Sequence, residues 1–287
     1  MNGTQRTFFS RLSSSAILWC IALVITFSGH HVAFFLLISS LAMLGLWEYF
    51  AMLDHKGIPH FRATGMVCAF VFLAGSFFYF QKFGLAHAYD FEGSVSVFLL
   101  LVLFGRQMFG RTREVAPLAA MAFTVFGLLY IPTLFNFMTK IVFAMPENGQ
   151  FYVLYLVVVS KFSDMGAYLT GMMIGKHPMA PLISPKKTWE GFAGAICFSM
   201  LGSFGLLWLI PHKLAALDST HALILGLLIG VSAVIGDLAE SVLKRSCDVK
   251  DSGHMLPGIG GVLDLIDSLL FTGPILFFYL RLVAHGV

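Results

Sequence analysis

Long apolar runs recur along the whole chain, and their length constrains the fold more than any other feature of the sequence. The chain has 287 residues, of which 58% are hydrophobic and only 11% are charged, and its mean hydropathy is +0.85. A helix needs about 20 consecutive apolar residues to cross a bilayer, and it satisfies its own backbone hydrogen bonds in lipid. The sequence therefore predicts an all-α polytopic membrane protein, and not a soluble domain.

The apolar runs predict about nine transmembrane helices. They lie near residues 16–28, 33–53, 64–80, 94–105, 116–138, 151–172, 192–210, 223–239 and 262–283. The first run could also be a signal-peptide core, but no A-x-A cleavage site follows it, which favours a retained span. Pro132 should break the fifth span. Residues 1–150 then form an N-terminal set of helices, and residues 151–287 form a C-terminal catalytic region with polar loops at 173–191 and 241–261.

Basic residues segregate to one side of these predicted spans. If the N-terminus is cytoplasmic, the outer side receives only Lys82, Lys140, Lys213 and Arg281 of the 18 Lys and Arg residues, and Lys161 lies within a span. Because cytoplasmic loops carry the excess of Lys and Arg, the N-terminus is predicted to be inside and the C-terminus outside. Both charged loops then face the cytoplasm, where a nucleoside triphosphate is available. Four intramembrane acids approach the same side: Asp164, Asp237, Asp264 and Asp267.

The densest group of charges and glycines lies between residues 241 and 267. It contains, in chain order, Lys244, Arg245, Lys250, Asp251, Gly258, Gly260, Gly261, Asp264 and Asp267. Basic groups bind phosphate oxygens as charged donors, and a glycine-rich turn lets backbone N–H groups approach an anion. Carboxylates at positions i and i+3 share a helix face and could hold Mg²⁺, which prefers oxygen ligands. This segment therefore predicts a nucleotide or pyrophosphate site at a membrane surface.

The same segment resembles the signature of the phosphatidate cytidylyltransferases (CDP-diacylglycerol synthases), S-x-x-K-R-x4-K-D-S-G followed by P-G-x-G-G-x-x-D-x-x-D. The matching residues are Ser241, Lys244, Arg245, Lys250, Asp251, Ser252, Gly253, Pro257, Gly258, Gly260, Gly261, Asp264 and Asp267. The strings at residues 164–168 and 184–191 resemble two further family segments, D-x-G-A-Y and S-P-x-K-T-x-E-G. Ile259 and Leu265 stand where many members have His and Arg, so an inactive relative stays an alternative.

The resemblance implies transfer of the cytidylyl group of CTP to phosphatidate, giving CDP-diacylglycerol and pyrophosphate. It also implies Mg²⁺ in an undetermined number, with a monovalent cation as an option, a homodimer, and a multi-pass protein of the cell membrane whose site is cytoplasmic. The expected partners are CTP, phosphatidate and bilayer lipid, without nucleic acid. The expected metal ligands are Asp237, Asp264 and Asp267, and the expected catalytic residues are Lys244, Arg245, Lys250, Asp251 and Asp267. The expected substrate-binding residues are Asp164, Ser184, Lys187, Thr188, Ser241, Gly258, Gly260 and Gly261.

Several of these residues also have a plainer structural interpretation. An acid such as Asp264 is favoured at a helix N-terminus by a few tenths to about 1 kcal/mol. Glu240 lies four residues before Lys244, and a mutual ion pair is the favoured interpretation for it. Lys161 and Asp164 could likewise neutralise each other, and Thr188 could cap the following helix.

Two other functions remain open from the sequence. A CTP-dependent lipid kinase of the polyprenol type would share the metal and nucleotide parts of the site but attack the terminal phosphate. A cation- or proton-coupled transporter would use Lys161, Asp164 and Asp237 as an intramembrane relay. The clustering of basic and glycine motifs on one side disfavours the transporter.

Overall fold

The computed structural model is a bundle of long helices and describes residues 3–109, 116–145, 147–255 and 260–283. The helices are α1 (Gly3–Ser28), α2 (His31–Lys56), α3 (Arg62–Phe83), α4 (Ala88–Phe109), α5 (Pro117–Leu128), α6 (Phe137–Ala144), α7 (Gly149–Ile174), α8 (Trp189–Leu209), α9 (Ser219–Ser246) and α10 (Val262–Val283). Two short strands, β1 (Pro178–Ala180) and β2 (Ser184–Thr188), form the one sheet of the described residues. The prediction of an all-α polytopic membrane protein is confirmed.

Eight helical segments within the described residues are long and apolar enough to cross a bilayer, with α5 and α6 counting as one segment, Pro117–Ala144. The first predicted span is helical too, but the apolar part of α1 covers only Ala16–Ser28, which is shorter than the range of about 17–25 residues that a perpendicular span requires. The cytoplasmic position of the N-terminus stays a prediction.

The helix interrupted by Pro132 is distorted at the predicted place. Proline has no N–H to donate, and residues Leu129–Thr133 form a π-helical turn there. The Thr133 hydroxyl donates to the carbonyl oxygen of Leu128 at 2.9 Å. The helix then resumes as α6 and carries Lys140 inside it. Lys140, which the count of basic residues assigned to the outer side, therefore lies within a helix, and Glu92 compensates its buried ammonium group at 2.6 Å. Its side of the membrane stays a prediction.

The packing of α7 against α8 brings the charged hairpin to the end of the bundle that carries the intramembrane acids. A Cβ atom on Gly166 of α7 would lie 2.5 Å from the carbonyl oxygen of Gly194 on α8, so only small residues permit this approach. The β1–β2 hairpin connects the two helices. Thr188 accepts a hydrogen bond from the N–H of Gly191 at 3.1 Å, which confirms its predicted role as the N-cap of α8.

Candidate functional site

Helices α9 and α10 come into very close contact where their acidic residues lie. A Cβ atom on Gly236 would be 2.7 Å from the carbonyl oxygen of Asp267, so glycine is needed at this position. The approach brings Asp237 and Glu240 of α9 beside Asp267 of α10. One carboxylate oxygen from each of these three residues, hereafter the acid cluster, lies within 4.8 Å of the others. Glu240 and Asp267 are buried, whereas the side chain of Asp237 is 40% exposed.

Three lysines from three different elements surround the acid cluster. Lys187 of the hairpin lies 2.7 Å from Asp237, and Lys244 of α9 lies 2.6 Å from Glu240. Lys161 of α7 donates to Asp164 at 3.0 Å and to the carbonyl oxygen of Leu265 at 3.1 Å. The ion pair predicted for Glu240 with Lys244 is therefore confirmed. Lys161 and Asp164, for which a mutual pair was the alternative interpretation, are paired as well.

The acid cluster retains acceptor capacity after these contacts. The Oε1 atom of Glu240 is buried without a hydrogen-bond partner among the described residues. A buried, unpaired carboxylate oxygen is costly, and three carboxylates that approach one another repel unless a cation lies near them. Oxygen-only donor sets are those that Mg²⁺ and other hard cations prefer. The donors present therefore fit a hard cation, and Glu240 belongs to the set although the sequence did not assign it there.

Asp264 lies beside the acid cluster but is engaged elsewhere. Its Oδ1 atom accepts a hydrogen bond from Lys244 at 2.6 Å. Its Oδ2 atom accepts from the hydroxyl and N–H of Ser252 at 2.8 and 3.1 Å, and from the N–H of Gly261 at 2.9 Å. The bond from the Gly261 N–H joins the residue before α10 to Asp264, the third residue of the helix, as in a capping box. Asp264 thus fixes the start of α10, and its assignment as a metal ligand stays a prediction.

Glu48 of α2 is a residue of this site that the sequence interpretation missed. It is only 2% exposed. Its Oε2 atom accepts from the N–H of Leu263 at 2.8 Å and from the Ser252 hydroxyl at 3.2 Å, so it satisfies a free N–H at the start of α10 from another helix. A Cβ atom on Gly261 would clash with Ser252 and Glu48, which explains this glycine. An acid within a 26-residue apolar helix was the signal that could have identified Glu48.

The hairpin borders a cavity of about 400 Å³ next to Asp237 of the acid cluster. Its charged lining residues are Asp164, Lys186, Lys187 and Asp237, and Thr188 also lines it. Glu190 accepts from the N–H groups of Lys176 and His177 at 3.2 and 3.3 Å and so holds the hairpin against α8. This cavity, hereafter the polar cavity because of its four charged lining residues, brings together residues of two sequence motifs and Asp237.

The remaining predicted residues lie around this centre. Arg245 is exposed and donates to the carbonyl oxygens of Ile183 and Val249, at 3.3 and 3.4 Å. Ser184 pairs with Ala180 in the hairpin. Ser241 is partly buried, whereas Lys250 and Asp251 are exposed. Gly260 has a φ of +121°, a backbone conformation that favours glycine. Gly258 lies outside the described residues. The structure therefore gathers Asp164, Lys187, Asp237, Lys244 and Asp267, and places Lys250 and Asp251 on the surface.

Comparisons with known proteins identify relatives of this chain. The chain is 42% identical over 135 residues to the uncharacterized protein YnbB of Escherichia coli, which is 47% of this chain and 44% of that protein. It is 32% identical over 252 residues to the phosphatidate cytidylyltransferase of Bacillus subtilis, covering 87% of this chain and 89% of that protein. It is 36% identical over 186 residues to the phosphatidate cytidylyltransferase of Mycobacterium bovis, covering 63% and 59%. The matched region thus spans less than two thirds of two of these three relatives.

The family comparison covers nearly the whole chain. A family model described as "Cytidylyltransferase family" matches residues 9–283, which includes all the residues of the acid cluster, the hairpin and α2. Together with the arrangement of acids and lysines at the bundle end, this match shows that the chain belongs to the cytidylyltransferase family.

Proposed function

We propose that this membrane enzyme transfers the cytidylyl group of CTP to phosphatidate and releases pyrophosphate, giving CDP-diacylglycerol. The observation that carries the proposal is the acid cluster with Lys161, Lys187 and Lys244 around it. Such an arrangement suits a reaction between two phosphate anions. The Bacillus subtilis relative, which aligns over 87% of this chain, carries the corresponding name.

The reaction needs little proton transfer. A phosphomonoester such as phosphatidate has a second pKa near 6, so its phosphate is largely ionised at neutral pH. One of its oxygens attacks the α-phosphorus of CTP, a new P–O bond forms, and the bond from the α-phosphorus to the oxygen that bridges to the β-phosphorus breaks. The electron pair leaves with pyrophosphate, so no oxidant or general base is required.

The barrier to this reaction is the repulsion between the anions, and the lysines reduce it. Lys187 lines the polar cavity, where a triphosphate can approach from water. Lys244 sits between Glu240 and Asp264 with both nitrogen–oxygen distances at 2.6 Å, which keeps the positive charge at the junction of α9 and α10. Fixed positive charges stabilise a leaving pyrophosphate without reorganising during the reaction. Holding the two substrates in line would supply the rest of the acceleration.

A divalent cation is part of the proposal. Asp237, Glu240 and Asp267 would hold Mg²⁺, and Asp264 is the further candidate from the sequence. When bound, Mg²⁺ would neutralise phosphate charge and polarise the phosphoryl oxygens. The Oε1 atom of Glu240, which has no hydrogen-bond partner in the part of the chain that the structure describes, supports this fit.

The site is proposed to face the cytoplasm. The positive-inside distribution supports this side for the hairpin and the segment after α9. The acid cluster lies near the end of α9 and the start of α10, so it would sit close to the inner leaflet, where CTP and the lipid phosphate meet. A homodimer stays a prediction from the family resemblance.

Purified protein with phosphatidate, Mg²⁺ and CTP tests the proposal. With the label on the α-phosphate of CTP, we expect labelled lipid and stoichiometric pyrophosphate. With the label on the γ-phosphate, we expect labelled pyrophosphate and unlabelled lipid. Label from the γ-phosphate in the lipid would identify a lipid kinase instead, and ion uptake by vesicles without pyrophosphate release would identify a transporter.

A further inference from the structure

A second cavity, mostly apolar, ends beside the same site. It has a volume of about 330 Å³ and lies between α1, α2, α7 and α10, with Phe135 and Met138 completing its wall. Trp19, Leu37 and Val157 are among its apolar lining residues, and its charged lining residues are Lys161 and Asp264. We call this cavity the apolar groove.

A comparison with another apolar cavity shows what is unusual about the apolar groove. A cavity of about 370 Å³ lies between α3 and α4, and its nine described lining residues, which include Val67 and Phe98, carry no charge. Such a cavity is what two helices that meet in a lipid bilayer leave between them. The apolar groove differs because it leads from apolar walls to two charged groups, the Lys161 ammonium group and the Asp264 carboxylate.

Lys161 has capacity for another acceptor. Its ammonium group can donate three hydrogen bonds, and within the described residues it makes two, to Asp164 and to the carbonyl oxygen of Leu265. Its side chain is 28% exposed. An anionic head group at this end of the apolar groove could therefore receive a charge-assisted hydrogen bond.

Helix α7 contributes to the walls of both cavities. Lys161 lines the apolar groove, and Asp164, one turn further along, lines the polar cavity together with Asp237 of the acid cluster. The apolar groove thus reaches Lys161 and Asp264, and the polar cavity reaches Asp164, Lys187 and Asp237. This is the arrangement that a reaction between a lipid and a water-soluble nucleotide requires.

We propose that the apolar groove holds an acyl chain of the phosphatidate substrate, with the lipid phosphate at Lys161. This inference rests on the proposed function and deepens it by naming the lipid subsite. The apolar walls match an acyl chain, the ammonium group matches the phosphate in charge, and the groove ends at the residues of the site. Helix α1 supplies the outer wall through Leu18, Trp19 and Ala22.

A matched pair of substitutions on α2 tests the groove. Leu37 lines it, whereas the adjacent Leu36 is 58% exposed on the other face of the helix. In Leu37→Trp the larger side chain would fill the groove, so we expect the KM for dipalmitoyl phosphatidate to rise about tenfold or more. The KM for CTP should stay unchanged, and dioctanoyl phosphatidate should be affected less. Leu36→Trp should leave the KM values for dipalmitoyl phosphatidate, dioctanoyl phosphatidate and CTP as in the wild type.

A second substitution tests the groove independently if the Leu37→Trp protein does not fold. Ala22→Phe narrows the groove from α1 and should raise the KM for the long-chain lipid in the same direction. Wild-type KM values for long-chain phosphatidate in folded Leu37→Trp and Ala22→Phe proteins would overturn the inference while leaving the proposed function intact.

Photocrosslinking gives a result that does not depend on turnover. Phosphatidate with a diazirine in one acyl chain should label residues 18–26 and 153–157, and Leu37→Trp should suppress this labelling. Labelling confined to α3 and α4 and unaffected by the substitution would mean that only bilayer lipid is bound, and would overturn the inference. Groove labelling by a wild-type protein that makes no CDP-diacylglycerol would support the subsite and refute the proposed function.

Discussion

Two groups of charged side chains are buried in the helix bundle, and they differ in how fully the protein satisfies them. In the first, both carboxylate oxygens of Glu92 accept hydrogen bonds, from Lys140 at 2.6 Å and from Asn136 at 3.1 Å. The Lys140 ammonium group also lies 4.1 Å from the centre of the Phe137 ring, a cation–π contact. In the acid cluster, three carboxylates approach one another, and an oxygen of Glu240 has no partner among the described residues.

The difference separates a structural ion pair from a binding site. The Glu92–Lys140 pair joins α4 to α6 and balances its own charge, so it needs nothing further. The acid cluster keeps acceptor capacity that a bound cation can use. Isosteric acid-to-amide substitutions should therefore affect stability in the first group and activity in the second.

The largest expected effect is on stability. Glu92→Gln leaves the buried Lys140 ammonium group without its counter-ion, and breaking a buried ion pair typically costs about 3–5 kcal/mol. We expect the Tm in detergent to fall markedly, while the turnover of the protein that remains folded stays close to that of the wild type. A variant with wild-type Tm and no activity would reverse the roles of the two groups.

Asp267→Asn should lower the activity of the protein and leave its stability intact. It removes one carboxylate of the acid cluster, and we expect turnover to fall by about 10²–10³-fold, as for the loss of one main electrostatic contact in an active site. The Tm without metal should be unchanged or higher, because repulsion among buried carboxylates is relieved. Turnover, measured as labelled lipid, and the Tm are determined on the same preparation of the Asp267→Asn protein.

A metal titration on the same variant provides its control. A ligand at 100 times its Kd stabilises a protein by about 2.7 kcal/mol, so Mg²⁺ should raise the Tm of the wild type but not of Asp267→Asn. An equal rise in both proteins would contradict the assignment of Asp267 as a ligand.

Asp264→Asn should affect both properties. The amide would present a donor to groups that are themselves donors, Lys244 or the N–H of Gly261, and the cost of a buried unsatisfied group is about 1–3 kcal/mol. Both Tm and turnover should fall. Loss of turnover without any loss of Tm would instead favour Asp264 as a metal ligand with no structural role.

The smallest expected effect concerns an exposed ion pair between Lys56 and Asp248. The hydrogen bond from Lys56 holds the pKa of Asp248 below its ordinary value, so the pair stabilises the folded state above the ordinary Asp pKa and loses this contribution as pH falls through the lowered value. The Tm difference between the wild type and Lys56→Met should therefore be small at pH 7 and vanish in acid. A difference that grows in acid would show that the contact is not ionic.

Part of the site could be predicted from the sequence because it depends on local spacing. Glu240 and Lys244 pair because residues four apart on a helix are neighbours. Thr188 caps α8 because its hydroxyl reaches the N–H three residues later. The meeting of Asp237 with Asp267 follows from two helices that end and begin at the same loop.

The identity of the third member of the acid cluster could not be predicted in the same way. Asp264 and Glu240 are both close in sequence to the other acids, and only the rotation of α9 against α10 decides which of them faces the cluster. Glu48 was missed because it lies about 200 residues from the segment it holds, as its bonds to Ser252 and Leu263 show.

By itself, the sequence determined that this protein is a membrane bundle and where its long apolar helices lie, because apolar length, helix periodicity and caps are local properties. Tertiary structure alone decided that Asp264 binds Lys244 while Glu240 joins the acid cluster, that Lys140 is buried on Glu92, and that an apolar and a polar cavity reach one site. The physical reason is that partners of buried charges are chosen by distances between helices, and these distances depend on packing across the whole bundle.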